Sequence, residues 1–343
     1  MIICTVSLLF CSVLSCLVDK LSERATKDRI SYHKSIRRAL AIECLASDHE
    51  ALVDFKNGLE DSHNHLSSWR NTNCCQWRGI YCDNITGAVV SIDLHNPHPV
   101  LFDSSPRKYE MWNQSGELRP SLMKLKSLRH LDLSFNTFNG IPIPEFFGSL
   151  VNLQYLNLST AGLIPPHLGN LSHLQYLDLK TVGLHVENFQ WVVGLVSLKY
   201  LAMNGVDLSS VAGTDLVSAV NHLPFLIELH LSSCHLFGQI SSPSSLNFTS
   251  LAFLNLSSNA FFSKIPNWLV NISTLEHSGF YGNLTSLTYL DLSNNTIEGV
   301  IPSSIGAICN LKVLILSRNN MTGTFPEFLQ GIENCPSRNL FLI

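Results

Sequence analysis

The chain has 343 residues, 45% of them hydrophobic, with 22 lysines and arginines against 26 aspartates and glutamates. That length and apolar content allow a sizeable packed core, and a net charge of −4 without a basic stripe argues against nucleic acid as a partner. The 14 histidines are scattered, among them His49, His63, His65, His95, His173, His230 and His235; none falls into an H-E-x-x-H or Cys/His finger spacing, so neither metal nor cofactor is expected.

Residues 2–18 form an uncharged, largely apolar run of 17. At the extreme N-terminus such a run reads as a secretory signal over 1–18. No Lys or Arg precedes it, and Asp19 to Arg38 carries seven basic against three acidic residues, which favours keeping that side cytoplasmic. A signal-anchor is therefore the alternative, and length does not separate the two, since spanning helices need about 17–25 residues. Residues 19–42 then form a basic linker.

Ser47-Asp-His-Glu50 has the form of a capping box with Ser47 as N-cap. Leu52, Phe55 and Leu59 follow on one helical face, and Gly58 is a stop. Cys44, Cys74, Cys75 and Cys82 surround Trp69 and Trp77. Adjacent cysteines serve poorly as two ligands of one tetrahedral zinc, and no C-x2-C is present. Disulfides in an oxidising compartment are the preferred reading. The first strand is expected at Ala88 to Leu94. A Pro-, Asp- and Ser-rich loop follows from His95 to Gly116, and Leu118-Arg-Pro-Ser-Leu122 returns on the convex side.

From Leu128 one frame recurs, plainest in Leu128-Arg-His-Leu131-Asp-Leu133-Ser-Phe-Asn136. Its first leucine returns at Leu153, Leu174, Leu198, Leu226, Leu251, Leu287 and Leu311, in steps of 25, 21, 24, 28, 25, 36 and 24 residues. L-x-x-L-x-L-x-x-N at that period is the leucine-rich-repeat signature. Alternating leucines make a short strand with one buried face, and only stacked neighbours can bury it. The fold class is an α/β solenoid: a horseshoe with short parallel strands on its concave face, a cap over 43–88 and about ten repeats over 89–343.

Two stretches carry a family resemblance. Glu43-Cys44, Glu50-Ala-Leu-Val-Asp-Phe-Lys56, Leu66-Ser-Ser-Trp69 and Cys74-Cys75-Gln-Trp77-Arg-Gly-Ile-Tyr-Cys82 resemble the N-terminal cap of plant extracellular leucine-rich-repeat proteins. The repeat tail Leu292-Ser-Asn-Asn295-Thr-Ile-Glu-Gly299-Val-Ile301-Pro302 matches the plant-type repeat. Together, over residues 43–343, they resemble the plant receptor-like proteins, especially the ethylene-inducing-xylanase receptor group. The resemblance implies Cys44–Cys74 and Cys75–Cys82 pairs and a chain that continues into further repeats, a C-terminal cap and a membrane span; the sequence in hand is then a truncated form or a fragment.

Between its leucines each strand displays a residue: His130, Tyr155, Tyr176, Tyr200, Glu228, Phe253, Tyr289 and Val313. This aromatic column reads chiefly as structural stacking and alternatively as a recognition surface. Asn136, Asn259, Asn295 and Asn319 keep the post-strand asparagine whose amide bridges successive turns. Ala161, Val182 and Val206 lose it, which predicts looser turns over about 160–210, and Cys234 is a buried free thiol in its place. The 36-residue step contains Leu275, which starts a repeat without finishing it, so a missing half-turn and a kink are expected. Cys309 and Cys335 sit in successive turns and either join as a disulfide or remain buried thiols.

Ten N-x-S/T sequons occur, at Asn84, Asn113, Asn157, Asn170, Asn247, Asn255, Asn271, Asn283, Asn294 and Asn320, fitting a secreted, glycosylated chain. Asn157 and Asn255 lie on strands, where glycans would obstruct the concave face. Ligand contact is therefore expected between them, at Gln175, Tyr176, Lys199, Tyr200, Glu228 and His230. No phosphate loop, nucleophile elbow, kinase set or zincin helix is present, and Asp132, Asp178 and Asp291 share a column without forming an acid–base pair. The expectation is no enzyme but an extracellular recognition module, at the plasma membrane or secreted, for a protein or glycan-associated elicitor, with a co-receptor kinase as signalling partner. The alternatives are a secreted inhibitor similar to the polygalacturonase-inhibiting proteins and a non-functional truncated product.

Overall fold

The alternating leucines build the molecule. Each Leu-x-Leu becomes a short strand, and the middle leucines fall into one register: Leu131, Leu156, Leu177, Leu201, Leu229, Leu254, Leu290 and Leu314 are paired in series. All eight are at most 3% exposed. In this computed structural model the described residues are 42–61, 64–97, 115–136, 138, 143–159, 166–181, 184–243, 245–247, 250–271, 287–306, 308–323 and 340–342. The expected signal segment and all but the last residue of the linker, together with Asn113, Asn283, Leu275 and Cys335, lie outside them. Cys44–Ile343 form one compact unit.

Among the described residues the main sheet has eleven strands. It opens with Ile80–Cys82 antiparallel to Val89–Asp93 and then runs parallel in chain order to Phe341–Leu342. Parallel strands need a crossover, supplied here by short helices such as Pro120–Lys124, Glu145–Ser149, Pro166–Asn170, Gln190–Gly194 and Gly213–Val220. Successive helices approach backbone to backbone. A Cβ on Gly194 would stand 2.1 Å from the carbonyl oxygen of Gly169, and one on Gly169 would stand 2.5 Å from that of Trp191. Only glycine fits at these two positions. Phe147, Phe189 and Phe261 are fully covered between sheet and helices, in one apolar core that also takes in the cap residues Leu52 and Phe55.

The cap differs from the sequence expectation at its first turn. The helix spans Ala46–Gly58 with Leu45 as N-cap and no side-chain cap, so Ser47 lies inside it and bonds Asp48 instead. Asp48, 4% exposed, reaches across the fold: its Oδ2 accepts the Val89 amide at 2.8 Å and ties the helix to the first strand. That tertiary bond outweighs a local capping box. The disulfides Cys44–Cys74 and Cys75–Cys82 form as the resemblance implies. Trp69 and Trp77 stack with ring centroids 5.0 Å apart, and Ile80–Cys82 covers the first strand's open edge.

The asparagine ladder stitches neighbouring turns. Asn259 Nδ2 donates to Leu231 O at 2.8 Å and Leu256 O at 2.9 Å, while its Oδ1 accepts the amides of Cys234 and Leu236, both at 3.0 Å. Where the asparagine is lost, Val206 is fully buried and Asn204 Oδ1 takes the Ser232 amide at 3.0 Å, so an apolar plug and a neighbouring amide together replace it. Cys234 is a free, buried thiol whose Sγ donates to Met203 O at 3.1 Å; burial pushes it up to about 12, well away from a reactive thiolate. Across the 36-residue step, Phe253–Asn255 pairs directly with Tyr289–Asp291 in unbroken register. The leucine register carries the sheet across the step. Cys309 is disulfide-bonded.

Candidate functional site

Strands about 4.8 Å apart bring residues of one column within ring-stacking distance. His130, Tyr155, Tyr176 and Tyr200 stack in sequence at centroid separations of 4.0, 4.3 and 4.2 Å with planes within 14°. Glu228 then interrupts the column, yet the stack does not stop. His230, two residues along the same strand, tilts in at 5.1 Å from Tyr200 and 4.3 Å from Phe253, and Tyr289 completes the run at 4.0 Å. Two neighbours make this detour possible. Ala202, paired with His230, leaves room for the imidazole, and Glu228 Oε2 holds its Nε2 at 3.1 Å.

This geometry decides what the face can offer. The flat faces are used against one another, so edges and hydroxyls, not open platforms, line the surface. Tyr155 donates to Asp132 Oδ2 at 3.1 Å, and Lys180 Nζ reaches both the Tyr200 hydroxyl and Asp178 Oδ2 at 3.2 Å. Burial and the Asp178 carboxylate push the Tyr200 phenol above its usual value; burial and Asp291 do the same for Tyr289. Both hydroxyls therefore stay protonated, and that of Tyr200 accepts from Lys180.

The acidic column is structural. Asp132 Oδ1 accepts the Ser134 amide at 3.1 Å and its hydroxyl at 2.6 Å; Asp291 accepts the same pair from Ser293, at 2.9 and 2.6 Å. Asp178 takes the Lys180 amide at 3.1 Å. Each carboxylate turns the chain out of its strand.

Four of the six expected contact residues lie on three adjoining strands in register, Tyr176–Asp178, Tyr200–Ala202 and Glu228–His230, and Gln175 and Lys199 immediately precede the first two. Tyr176 and Tyr200 belong to the stack, Glu228 and His230 form its detour, and Lys199 is exposed beside half-buried Gln175. Lys180 joins this patch; its position after the strand gave no signal in the repeat pattern. The two strand sequons take part in the same turns as the aspartates. Asn157, 8% exposed, accepts the Ser159 amide at 3.2 Å, and Asn255 accepts the Ser257 amide at 3.0 Å and hydroxyl at 2.7 Å. N-x-S here is also the turn pattern, and Asn157 is buried. The side chains of Asn84, Asn170, Asn247, Asn294 and Asn320 are exposed. Among the described residues, no helix is long and apolar enough to cross a membrane.

Comparison with known proteins agrees with this architecture. Residues 45–83 match the leucine rich repeat N-terminal domain, 108–278 a leucine-rich repeat region and 268–321 a leucine rich repeat. The chain is 37% identical to receptor-like protein EIX1 of Solanum lycopersicum over 67% of its own length and 23% of that protein's. It is 35% identical to receptor-like protein EIX2 of the same plant, over 83% of this chain and 29% of the relative. It thus spans about a quarter of the length of these relatives. The Arabidopsis receptor kinase HAESA, solved in complex with the peptide hormone IDA and the co-receptor SERK1, superposes with a TM-score of 0.60 at 27% identity, over 87% of this chain and 50% of that one.

Proposed function

Because the chain belongs to the plant leucine-rich-repeat receptor-like proteins, we propose that it is the recognition portion of a cell-surface defence receptor. It binds a microbial protein or glycan-associated elicitor on its concave face, outside the cell, and a partner receptor kinase carries the signal. The observation behind this reading is the patch of Gln175, Lys180, Lys199, Glu228 and His230 set around a rigid ring stack on three adjoining strands. Hydroxyl edges, a lysine pair and a carboxylate–imidazole pair suit the polar surface of a folded protein or an extended peptide. They do not suit a sugar ring seeking an aromatic face. HAESA, with its peptide and co-receptor on the same scaffold, supports a protein ligand and a co-receptor partner. Because scaffold alone does not name a ligand, the test uses a specific probe.

The secreted full chain is titrated with a purified fungal endoxylanase by biolayer interferometry, and xylanase and polygalacturonase activities are read in parallel. The expected result is saturable xylanase binding that weakens about tenfold or more in Lys199→Glu, with both enzyme activities unchanged. A charge reversal at a contact costs on that scale. Undiminished binding in Lys199→Glu overturns the concave assignment. Inhibition of polygalacturonase replaces the receptor reading with the inhibitor one.

A further inference from the structure

Asp93 ends the first strand, His95 follows two residues later, and Asp132 is Asp93's register partner in the next strand. We propose that these three side chains form a divalent-metal site of the zinc class that clamps the first two turns of the solenoid. One imidazole nitrogen and two carboxylate oxygens lie within 4.8 Å of one another. Zinc bonds of about 2.0–2.1 Å hold tetrahedral donors ~3.4 Å apart, so side-chain rotations that part the His95 Nδ1–Asp93 Oδ1 contact admit the ion among the three donors. One nitrogen with two oxygens suits zinc, whereas calcium and magnesium favour all-oxygen shells.

Burial gives this cluster its weight. Asp132 is 1% exposed and the Asp93 side chain 20%, so two carboxylates face each other across one register step largely out of water. The imidazoles of His95, whose Nδ1 contacts Asp93 Oδ1, and His130 face the pair. A dication bound among them neutralises both carboxylates. Beside the cluster, a cavity of about 190 Å³ lined by His65, Tyr81, Asp93 and His95 leaves room for water to complete the coordination. Among the described residues the other group of ligand-type side chains, Cys44, Cys74 and Cys75, is consumed by disulfides.

The test is thermal unfolding and calorimetric titration of the full chain with Zn²⁺, and with Ca²⁺ at equal concentration. The wild type binds one Zn²⁺ and its Tm rises, while Ca²⁺ leaves it unmoved. His95→Ala, compared in chelator for unchanged metal-free stability, loses at least about tenfold in Zn²⁺ affinity, the scale set by second-shell losses. His95→Gln, which keeps a donor toward Asp93, loses affinity to the same extent and guards against a packing effect. His235→Ala, at an exposed histidine beside Asp207, binds as the wild type does. Equal Zn²⁺ affinity in His95→Ala and wild type, or a Ca²⁺ response matching that of Zn²⁺, overturns the proposal.

Discussion

Replacing Asn295 by alanine tests whether the asparagine ladder holds the turns together. Asn295 is 7% exposed and spans the 36-residue step: Nδ2 donates to Leu256 O at 3.0 Å and Leu292 O at 3.1 Å, and Oδ1 accepts the Phe261 amide at 3.1 Å. The losses are unequal. Leu256 O keeps a donor in Asn259, and Leu292 O keeps one in Asn319. The Phe261 N–H loses its side-chain acceptor in a fully buried residue. An orphaned buried donor costs about 1–3 kcal/mol and each weakened carbonyl about 0.5 kcal/mol, so Asn295→Ala should cost about 3 kcal/mol in urea unfolding followed by circular dichroism. Asn295→Cys should recover part of this, since the Cys234 thiol already donates to Met203 O. A loss below about 0.5 kcal/mol in Asn295→Ala, or an Asn295→Asp variant as stable as wild type, refutes the ladder account.

The ring stack separates packing from hydroxyl chemistry. Tyr176 touches Tyr155 and Tyr200, so Tyr176→Ala should lose about 2–3 kcal/mol from two stacking contacts and burial, while Tyr176→Phe, which keeps both ring contacts, should lose no more than about 1 kcal/mol. Removing Cys44–Cys74 should cost more than removing Cys75–Cys82, about 3.6 against 2.3 kcal/mol on loop lengths of 30 and 7 residues; paired-alanine variants compared by denaturant midpoint check the order. Burial raises the Asp291 carboxyl, so the folded state is penalised above that raised value and relieved as pH falls through it. Asp291→Asn, a residue the column already accepts at Asn157 and Asn255, should therefore be the more stable form near pH 7 and lose its advantage near pH 3. The change writes an Asn-Leu-Ser sequon, so unglycosylated periplasmic protein is the sample, and a reversed ranking contradicts the burial argument.

The sheet was legible because one interaction specifies it. A leucine that slips by one position turns its whole strand inside out, so Leu131 through Leu314 had a single workable register, and even the 36-residue step could not break it. What the pattern hid were interactions between residues distant in sequence. Ser47 and Glu50 spell a capping box, but the helix begins a residue earlier at Ala46, and Asp48 within it bonds Val89 across the fold. Asn157 spells a glycan acceptor, but the same N-x-S also writes a turn. His230 stands in the column of turn-forming residues and reads as a contact; only with Ala202 and Glu228 around it does it become the missing ring of the stack. Asp93, His95 and Asp132 are joined by strand pairing, which no spacing motif encodes.

The most direct measurement of the central claim is lysine acylation footprinting of the full chain with and without bound ligand, read by mass spectrometry. Lys199 lies exposed immediately before the strand Tyr200–Ala202, and Lys126 lies exposed in the turn that precedes the strand His130–Asp132. Recognition on the concave face predicts that Lys199 loses most of its reactivity in the complex while Lys126 keeps its own. Protection of Lys126 with Lys199 unchanged would contradict it.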